Sequence, residues 1–173
     1  SLLMLVSAFA GRERVLSAAD ADRLAGLVRR RAAGEPLAHV AGNAGFRRLV
    51  LASDARALIP RPETEGLVAL VLERMAEGVA ADVCTGSGCI ALALAQEGRY
   101  GRVIGTDCSG EALDLARENA GRAGIAVEWR LGNLVEPLRG ERLDVLVANP
   151  PYLTQDEYAA LEPAVRAWEP RLA

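Results

Sequence analysis

The sequence predicts an α/β fold, with a parallel sheet covered by helices on both faces and a small helical domain before it. The first observation is an alternation of apolar, strand-like runs with helical stretches, which is typical of parallel sheets built from crossover units. The second is a glycine-rich turn after the first of these runs, and the third is an Asn-Pro-Pro-Tyr segment after the last. The strands are predicted at 80–84, 102–107, 126–131 and 143–148, and the helices between them at 89–96 and 111–123.

Size and charge limit the classes of function. The 173 residues suit one domain, or one domain with a small appendage. The net charge of −3 disfavours broad electrostatic binding of nucleic acid, which needs many cationic contacts to phosphate. The apolar runs of the sequence are shorter than a membrane span. We therefore expect no direct nucleic-acid partner and no membrane attachment.

The cysteines indicate the redox environment. Cys84, Cys89 and Cys108 form no CxxC pair, which favours reduced thiols in a cytoplasmic protein. A zinc site would need a fourth ligand and a different spacing, so we expect no metal. His39 and Trp129 are expected to be packing residues.

Residues 1–44 are predicted to form the small helical domain. Ser17 is placed to cap a helix at 18–33 whose apolar side chains share one face. Three arginines at 29–31 end this helix, where cations are favourable. A solvated helix end is the preferred interpretation of these arginines, and a basic patch that faces a substrate is the alternative.

Residues 45–64 are predicted to form a β-hairpin or extended linker. Pro60 and Pro62 stop any strand, and Thr64 is placed to cap a helix at 65–75. The strand-like parts of this segment are at 45–51 and 57–59.

The turn at 82–88 is a candidate cofactor site. It reads Asp-Val-Cys-Thr-Gly-Ser-Gly and opens a helix, and its glycines let the backbone approach a ligand closely. Asp107 ends the next strand about twenty residues further on, as expected for an acid that binds ribose hydroxyls. The turn alone does not exclude NAD, because Ala91 is a permitted variant of the dinucleotide pattern. The sequence lacks Gly-Lys-Ser/Thr, which excludes a phosphate-binding P-loop.

The Asn-Pro-Pro-Tyr segment indicates which adenosine-containing cofactor binds at the turn. Two prolines end the strand and hold Asn149 extended, so that the loop presents a side-chain amide, carbonyls and an aromatic ring. The carboxyl ends of parallel strands are where ligands bind in such sheets. The sequence near this segment offers no candidate acid or base for hydride transfer, which disfavours NAD. A rigid loop that presents an amide at that edge favours S-adenosyl-L-methionine and chemistry on an –NH2 group.

Three motifs together resemble the HemK/PrmC family of protein-(glutamine-N5) methyltransferases. They are Asp-x-x-Thr-Gly-Ser-Gly at 82–88, Asn-Pro-Pro-Tyr at 149–152 and Ile-Pro-Arg-Pro-Glu-Thr-Glu at 59–65. The resemblance implies a Rossmann-like class I S-adenosylmethionine-dependent methyltransferase domain at 65–173, preceded by the substrate-binding helical domain and the linker. It also implies a monomeric cytoplasmic enzyme whose partners are peptide chain release factors, methylated at the glutamine of their Gly-Gly-Gln motif.

The resemblance implies roles for individual residues. The cofactor is expected to contact Cys84, Thr85, Gly86, Ser87, Gly88, Asp107, Asn133, Leu134 and Asn149. The target glutamine is expected to contact Asn149, Pro150, Pro151, Tyr152, Arg61, Glu63 and Thr64. Asn149, Pro150 and Tyr152 are expected to act in catalysis. For Glu63 and its neighbour Glu65, a role as acids at a helix N-terminus is an equal alternative.

Three positions depart from the family pattern. Cys84 replaces a usual glycine, which costs about 1 kcal/mol or more if its φ is positive and nothing if it is strand-like. Asn133 replaces a common aspartate, and its amide oxygen can still accept a hydrogen bond from an adenine amino group. Leu134 replaces a larger neighbour and can still pack on a ring.

The predicted sheet is shorter than that of the family. Three more strands follow the Asn-Pro-Pro-Tyr loop in the family, so we expect a partial sequence whose sheet is truncated after the fourth strand. The strand at 143–148 would then be an apolar edge. The alternatives to release-factor methylation are methylation of a ribosomal-protein glutamine, methylation of a nucleic-acid amino group, and an inactive cofactor-binding fragment.

Overall fold

The computed structural model describes residues 17–151 together with 168 and 170. The helices are α1 (Ala18–Ala32), α2 (Leu37–Ala41), α3 (Pro62–Arg74), α4 (Cys89–Glu97) and α5 (Gly110–Ala123), with a 3-10 turn at Glu136–Leu138. The strands are β1 (Asn43–Phe46), β2 (Leu49–Ala52), β3 (Glu77–Val83), β4 (Arg99–Asp107), β5 (Glu128–Leu131) and β6 (Val145–Ala148). The chain divides into two compact units between Gly34 and Glu35. The predicted boundaries at 44 and 64 stay predictions.

Helix α1 belongs to the first unit and begins as predicted. The Ser17 side chain accepts a hydrogen bond from the Asp20 backbone N–H at 3.1 Å, which confirms the predicted N-cap. The arginines 29–31 lie in the last turn and are exposed to solvent, where they complement the helix dipole. A solvated helix end is therefore sufficient to account for them.

The sheet of the second unit has four parallel strands in the order β5-β4-β3-β6. Val83 on β3 is paired with Thr106 on β4 and with Ala148 on β6, so these strands end at the same level. The predicted parallel sheet is confirmed. Strand β6 is an edge strand among the described residues, and its Leu146 is 51% exposed, as predicted for an apolar edge.

The strand boundaries differ from the predicted ones. β3 and β4 each begin three residues earlier, at Glu77 and Arg99, because they continue to pair beyond a register shift at Gly78 and Val79. β5 and β6 each begin two residues later, at Glu128 and Val145. Apolar runs thus predicted the buried parts of β3, β4 and β6 but not the paired, more exposed starts of β3 and β4, and they overestimated the lengths of β5 and β6.

Helix α3 begins three residues before its predicted start. Arg61 is the N-cap residue and Pro62 occupies the first turn, where a proline costs no hydrogen bond. The prediction that Thr64 caps this helix is therefore wrong. Thr64 lies within the first turn and is buried.

The predicted hairpin is confirmed, but it lies at 43–52 and leaves 57–59 outside any strand. Its turn is fixed by Arg47, which has a φ of 50°. The Arg47 guanidinium donates to both carboxylate oxygens of Glu97 at 2.6 and 2.8 Å, and its backbone N–H donates to Glu65 Oε1 at 2.9 Å. These bonds join the hairpin to α4 and α3, so Glu65 has a structural role.

The core surrounds helix α4. Residues 89–94 of this helix are all buried, which fits a helix that is apolar on every side and packs between the sheet and α3. Trp129 packs on the same core from β5, as predicted. Its ring lies so close to Gly105 that a Cβ there would be 2.3 Å from Trp129 Cζ3. Strand β4 therefore needs glycine at this position.

We predict that Gly105→Ala destabilises the fold by about 1–3 kcal/mol, because the rigid indole ring of Trp129 must move to admit a methyl group. Gly121→Ala is the matched control: it lies within α5, has open space around it, and should stabilise the helix by up to about 1 kcal/mol. Urea denaturation of both variants measures these free energies of unfolding. Equal values for the two variants would contradict the packing argument.

Candidate functional site

The glycine-rich turn runs from the end of β3 to the start of α4. Cys84, Gly86 and Gly88 have φ angles of 59°, 55° and 81°, so the backbone coils through the left-handed region at alternate residues. The Thr85 backbone N–H donates to the Thr106 carbonyl at 2.9 Å, which fastens the turn to β4. The turn thus has a defined shape that depends on neighbouring strands.

Asp82 supports this turn from the core. Its Oδ2 accepts hydrogen bonds from the Thr85 hydroxyl at 2.5 Å and from the Ala91 backbone N–H at 3.1 Å. Its Oδ1 is buried and has no hydrogen-bond partner among the described residues. Burial raises the pKa of Asp82 to about 7, against the opposing effect of the hydrogen bonds from Thr85 and Ala91.

Asp107 is the predicted ribose-binding acid, and it stands beside the turn. Its Oδ2 accepts a hydrogen bond from the Gly86 backbone N–H at 2.9 Å, and its Oδ1 accepts one from the Ser109 backbone N–H at 2.9 Å. Two backbone donors therefore fix the orientation of the carboxylate. Each oxygen keeps acceptor capacity for a ligand hydroxyl.

Asn149 emerges next to the turn because β6 pairs with β3. Ala148 is the register partner of Val83, so Asn149 follows β6 where Cys84 follows β3. Asn149 is half-buried, whereas Pro150 and Pro151 are exposed. The amide loop and the glycine-rich turn therefore meet at the carboxyl edge of the sheet, as predicted.

A cavity of about 490 Å³ opens at this edge. This volume lies within the range of small-molecule sites. The predicted site residues that line it are Cys84, Thr85, Gly86, Ser87, Asp107, Asn133, Leu134, Asn149, Pro151, Arg61 and Thr64. Residues predicted to bind the cofactor and residues predicted to bind the target glutamine therefore line the same cavity.

Some predicted site residues do not line this cavity. Gly88 is buried behind the turn, where a Cβ would lie 2.9 Å from Trp129 Cη2 and 3.1 Å from Ala116 Cβ, so it serves packing. Glu63 is exposed in the first turn of α3, and Pro150 is exposed in the amide loop. Tyr152 lies outside the described residues.

The sequence-based prediction missed one wall of the cavity. Residues 55–60 connect the hairpin to α3 and all line it, as does the segment from Cys108 to Ala112 apart from Gly110. Because residues 57–59 are apolar, they were predicted to be strand-like and were not recognised as part of the cavity wall. The two prolines that follow, at positions 60 and 62, were the available signal that this stretch is a loop.

The charges and surfaces of the cavity fit S-adenosylmethionine. Asp107 offers acceptors for ribose hydroxyls, and the backbone of the turn can approach the polar methionine part closely. Leu134 is 51% exposed beside the cavity and offers an apolar surface for an adenine ring. Asn133 is exposed next to it, with its amide available for a polar contact.

The thiols of Cys84 and Cys89 are poor metal ligands and poor nucleophiles. Burial raises the pKa of Cys89 to about 12, and burial together with the charge of Asp107 raises the pKa of Cys84. Among the described residues, the acidic, histidine and cysteine side chains form no group of three that could hold a metal ion.

A parallel sheet with this turn, this acid and this amide loop at its carboxyl edge defines a class I methyltransferase fold. The chain belongs to the methyltransferase small domain family, whose model matches residues 64–167. The model of the PrmC N-terminal domain matches residues 6–42. The predicted fold and the resemblance to HemK/PrmC are thereby confirmed.

Curated relatives agree with this family. A release factor glutamine methyltransferase of Geobacter sulfurreducens is 43% identical over 149 residues, covering 86% of this chain and 52% of that protein. One of Chlorobaculum tepidum is 38% identical, covering 99% of this chain and 63% of that protein. The chain thus spans little more than half the length of the curated relatives it matches.

Solved structures share the fold. A methyltransferase from Pyrococcus furiosus aligns with a TM-score of 0.52 and 21% identity, covering 76% of this chain and 62% of its own. The T. thermophilus 16S rRNA N2 G1207 methyltransferase, in complex with AdoMet and guanosine, aligns with a TM-score of 0.54 and 20% identity, covering 65% of this chain and 33% of its own. None of the helices in the described part of the chain combines the length and apolar character needed to cross a bilayer.

Cys84 has the positive φ that makes a side chain unfavourable. We predict that Cys84→Gly stabilises the protein by about 1 kcal/mol, because glycine adopts the left-handed region without steric cost. Cys84→Ala is the matched control, since it removes the sulfur but keeps the Cβ and hence the strain. Urea denaturation should show glycine to be more stabilising than alanine, and equal stabilities would contradict the assigned backbone strain.

The raised pKa of Asp82 predicts a stability that falls as pH rises. The folded protein binds the Asp82 proton more tightly than the unfolded chain, so this contribution is lost between the usual carboxyl pKa near 3.8 and a pH of about 7. Asp82→Asn removes this contribution, and its unfolding free energy should depend less on pH between 4 and 8. Urea titrations at several pH values measure the difference. Asp114→Asn, an exposed position on α5, is the control, and an equal flattening there would contradict the prediction.

Proposed function

We propose that the protein transfers a methyl group from S-adenosyl-L-methionine to the glutamine side-chain amide in the Gly-Gly-Gln motif of peptide chain release factors. The observation that carries this proposal is that one cavity brings Asp107 and the glycine-rich turn together with Asn149 and Arg61. The names of the curated relatives support the choice of a protein glutamine as target.

The cofactor would be held by the turn at 84–87, by Asp107 at the ribose, and by Asn133 and Leu134 at the adenine. Bound there, it supplies an activated methyl group on a sulfonium. The two hydrogen bonds that already orient Asp107 support this role, because its carboxylate needs no rearrangement to accept ribose hydroxyls.

The target amide would be oriented by the loop that follows β6. A glutamine nitrogen is a weak nucleophile because its lone pair is delocalised. Asn149 Oδ1 and the Pro150 carbonyl would accept its two N–H bonds and direct the lone pair towards the methyl carbon. The bound cofactor would supply the methyl group to this nitrogen and keep the electron pair of its carbon–sulfur bond, and the proton released from the nitrogen would pass to water. Proximity, orientation and acceptors aimed at developing positive charge would drive the step.

The other predicted contacts belong to the same proposal. Arg61, Thr64 and Pro151 line the target side of the cavity, which supports their role in substrate binding. Tyr152 would pack on the amide plane and exclude water. Because Glu63 is exposed in the first turn of α3, we favour the alternative that it acts as an acid at the N-terminus of this helix. We further propose that the protein is monomeric. The three free cysteines support the proposal of a reducing cytoplasm.

Methyl-labelled S-adenosylmethionine tests this function. The protein is incubated with a release factor that carries Gly-Gly-Gln, with a variant that carries Gly-Gly-Ala, with ribosomal protein, and with DNA. We expect label only on the first substrate. Label on DNA alone would replace the proposal by nucleic-acid amino methylation, which also acts on an –NH2 group.

We predict that Asn149→Ala lowers methyl transfer about 100-fold or more, because the target amide loses its main acceptor. Binding of S-adenosylhomocysteine should change far less, since Asp107 and the turn remain. Single-turnover methylation and calorimetry measure the two effects. Asn149→Asp keeps an oxygen acceptor and serves as the matched variant, with an intermediate rate. Wild-type transfer by Asn149→Ala would contradict the mechanism.

A further inference from the structure

The buried amide of Asn119 links two walls of the cavity without lining it. Asn119 lies on α5 and is 1% exposed. Its Nδ2 donates to the Ser87 carbonyl at 3.0 Å and to the Ala52 carbonyl at 3.3 Å, while its Oδ1 accepts from the Ala52 backbone N–H at 2.6 Å. One side chain therefore uses both its donors and its acceptor on two separate backbone segments.

These segments belong to opposite sides of the proposed reaction. Ser87 is part of the glycine-rich turn on the cofactor side. Ala52 is the last residue of β2, and the chain then passes through residues 55–61, which line the other wall up to Arg61. A shift of either segment must change a hydrogen bond of the same amide.

Helix α5 also holds the loop after Ala52. Arg56 donates to Glu118 Oε2 at 2.8 Å, and Ala52 and Ala57 pack with Ala112 and Leu115 of α5. The loop is thus attached along one helix, and Asn119 adds a hydrogen bond from this helix to the Ser87 carbonyl of the turn. Buried donors that lose their partners are costly, so the amide favours states in which both segments are in place.

We propose that Asn119 is a positioning residue that couples cofactor binding at the turn to target binding at the loop 53–61. The inference rests on the proposed function, since it assigns the two walls to cofactor and target glutamine. By linkage, bound cofactor then strengthens target binding, and bound target strengthens cofactor binding by the same factor.

The coupling is measured as the ratio of the dissociation constants of S-adenosylhomocysteine without and with a saturating Gly-Gly-Gln release factor. We expect a ratio of about fivefold or more for the wild type, the lower end of usual coupling factors. Asn119→Asp keeps the shape of the side chain and the oxygen that accepts from the Ala52 backbone N–H. It replaces the Nδ2 donor, which bonds the Ser87 and Ala52 carbonyls, by a carboxylate oxygen. Its ratio should fall below about twofold, with a raised KM for the release factor.

Glu118→Gln is the matched control on the same helix. It weakens the contact to Arg56 and leaves the Asn119 hydrogen bonds intact, so the coupling ratio should stay at the wild-type value. A merely structural role would lower stability in Asn119→Asp but leave the ratio unchanged. That result, or a wild-type ratio near one, would overturn the inference.

Hydrogen exchange of the wild type gives a test that does not depend on how well the variant folds. The Ala52 backbone N–H donates to Asn119 and does not line the cavity. Its exchange should slow at least several-fold when S-adenosylhomocysteine binds, and unchanged exchange would overturn the coupling. Failure of the wild type to methylate the release factor would instead contradict the proposed function, so the two failures are distinguishable.

Discussion

The geometry of the site depends on the attachment of the glycine-rich turn to the strands beside it. Asp82 holds the turn from the core through Thr85 and the start of α4, and Asp107 holds it from the side through Gly86. Thr106 adds a backbone acceptor for Thr85. Because all three partners stand at or next to the ends of paired strands, the sheet sets the shape of the turn.

Backbone strain in the described residues concentrates around this cavity. Cys84 and Leu134 both line it with positive φ, although neither is glycine. Thr106 lies between them: its carbonyl accepts from Thr85, next to Cys84, and its hydroxyl donates to the Leu134 carbonyl at 3.2 Å. Unfavourable conformations persist where surrounding bonds enforce them. The two strained positions are therefore held by one buried threonine of β4.

Local sequence signals predicted the parallel sheet and, of the cavity lining, the glycine-rich turn, Asp107 and the Asn149 loop. The family resemblance added Asn133, Leu134, Arg61 and Thr64. Apolar runs mark buried parts of strands, and the glycine-rich turn and the Asn-Pro-Pro segment mark the carboxyl edge at which Asp107 and Asn149 line one cavity. The wall at 55–60 was not predictable in this way, since its place depends on long-range contacts of Arg56 and Ala57 to α5. The role of Asn119 was hidden for the same reason: a helical asparagine has no sequence signature for the two segments it joins.

The close packing of Trp129 gives the protein an intrinsic optical reporter. The sequence contains two tryptophans, and the ring of this one touches both Gly88 at the end of the turn and Gly105 on β4. Indole emission responds to small changes in contact and polarity, so movement of the turn should alter its intensity or wavelength. Occupancy of the cavity can then be followed by fluorescence without a dye or a radioactive label, with Trp168 contributing the background signal.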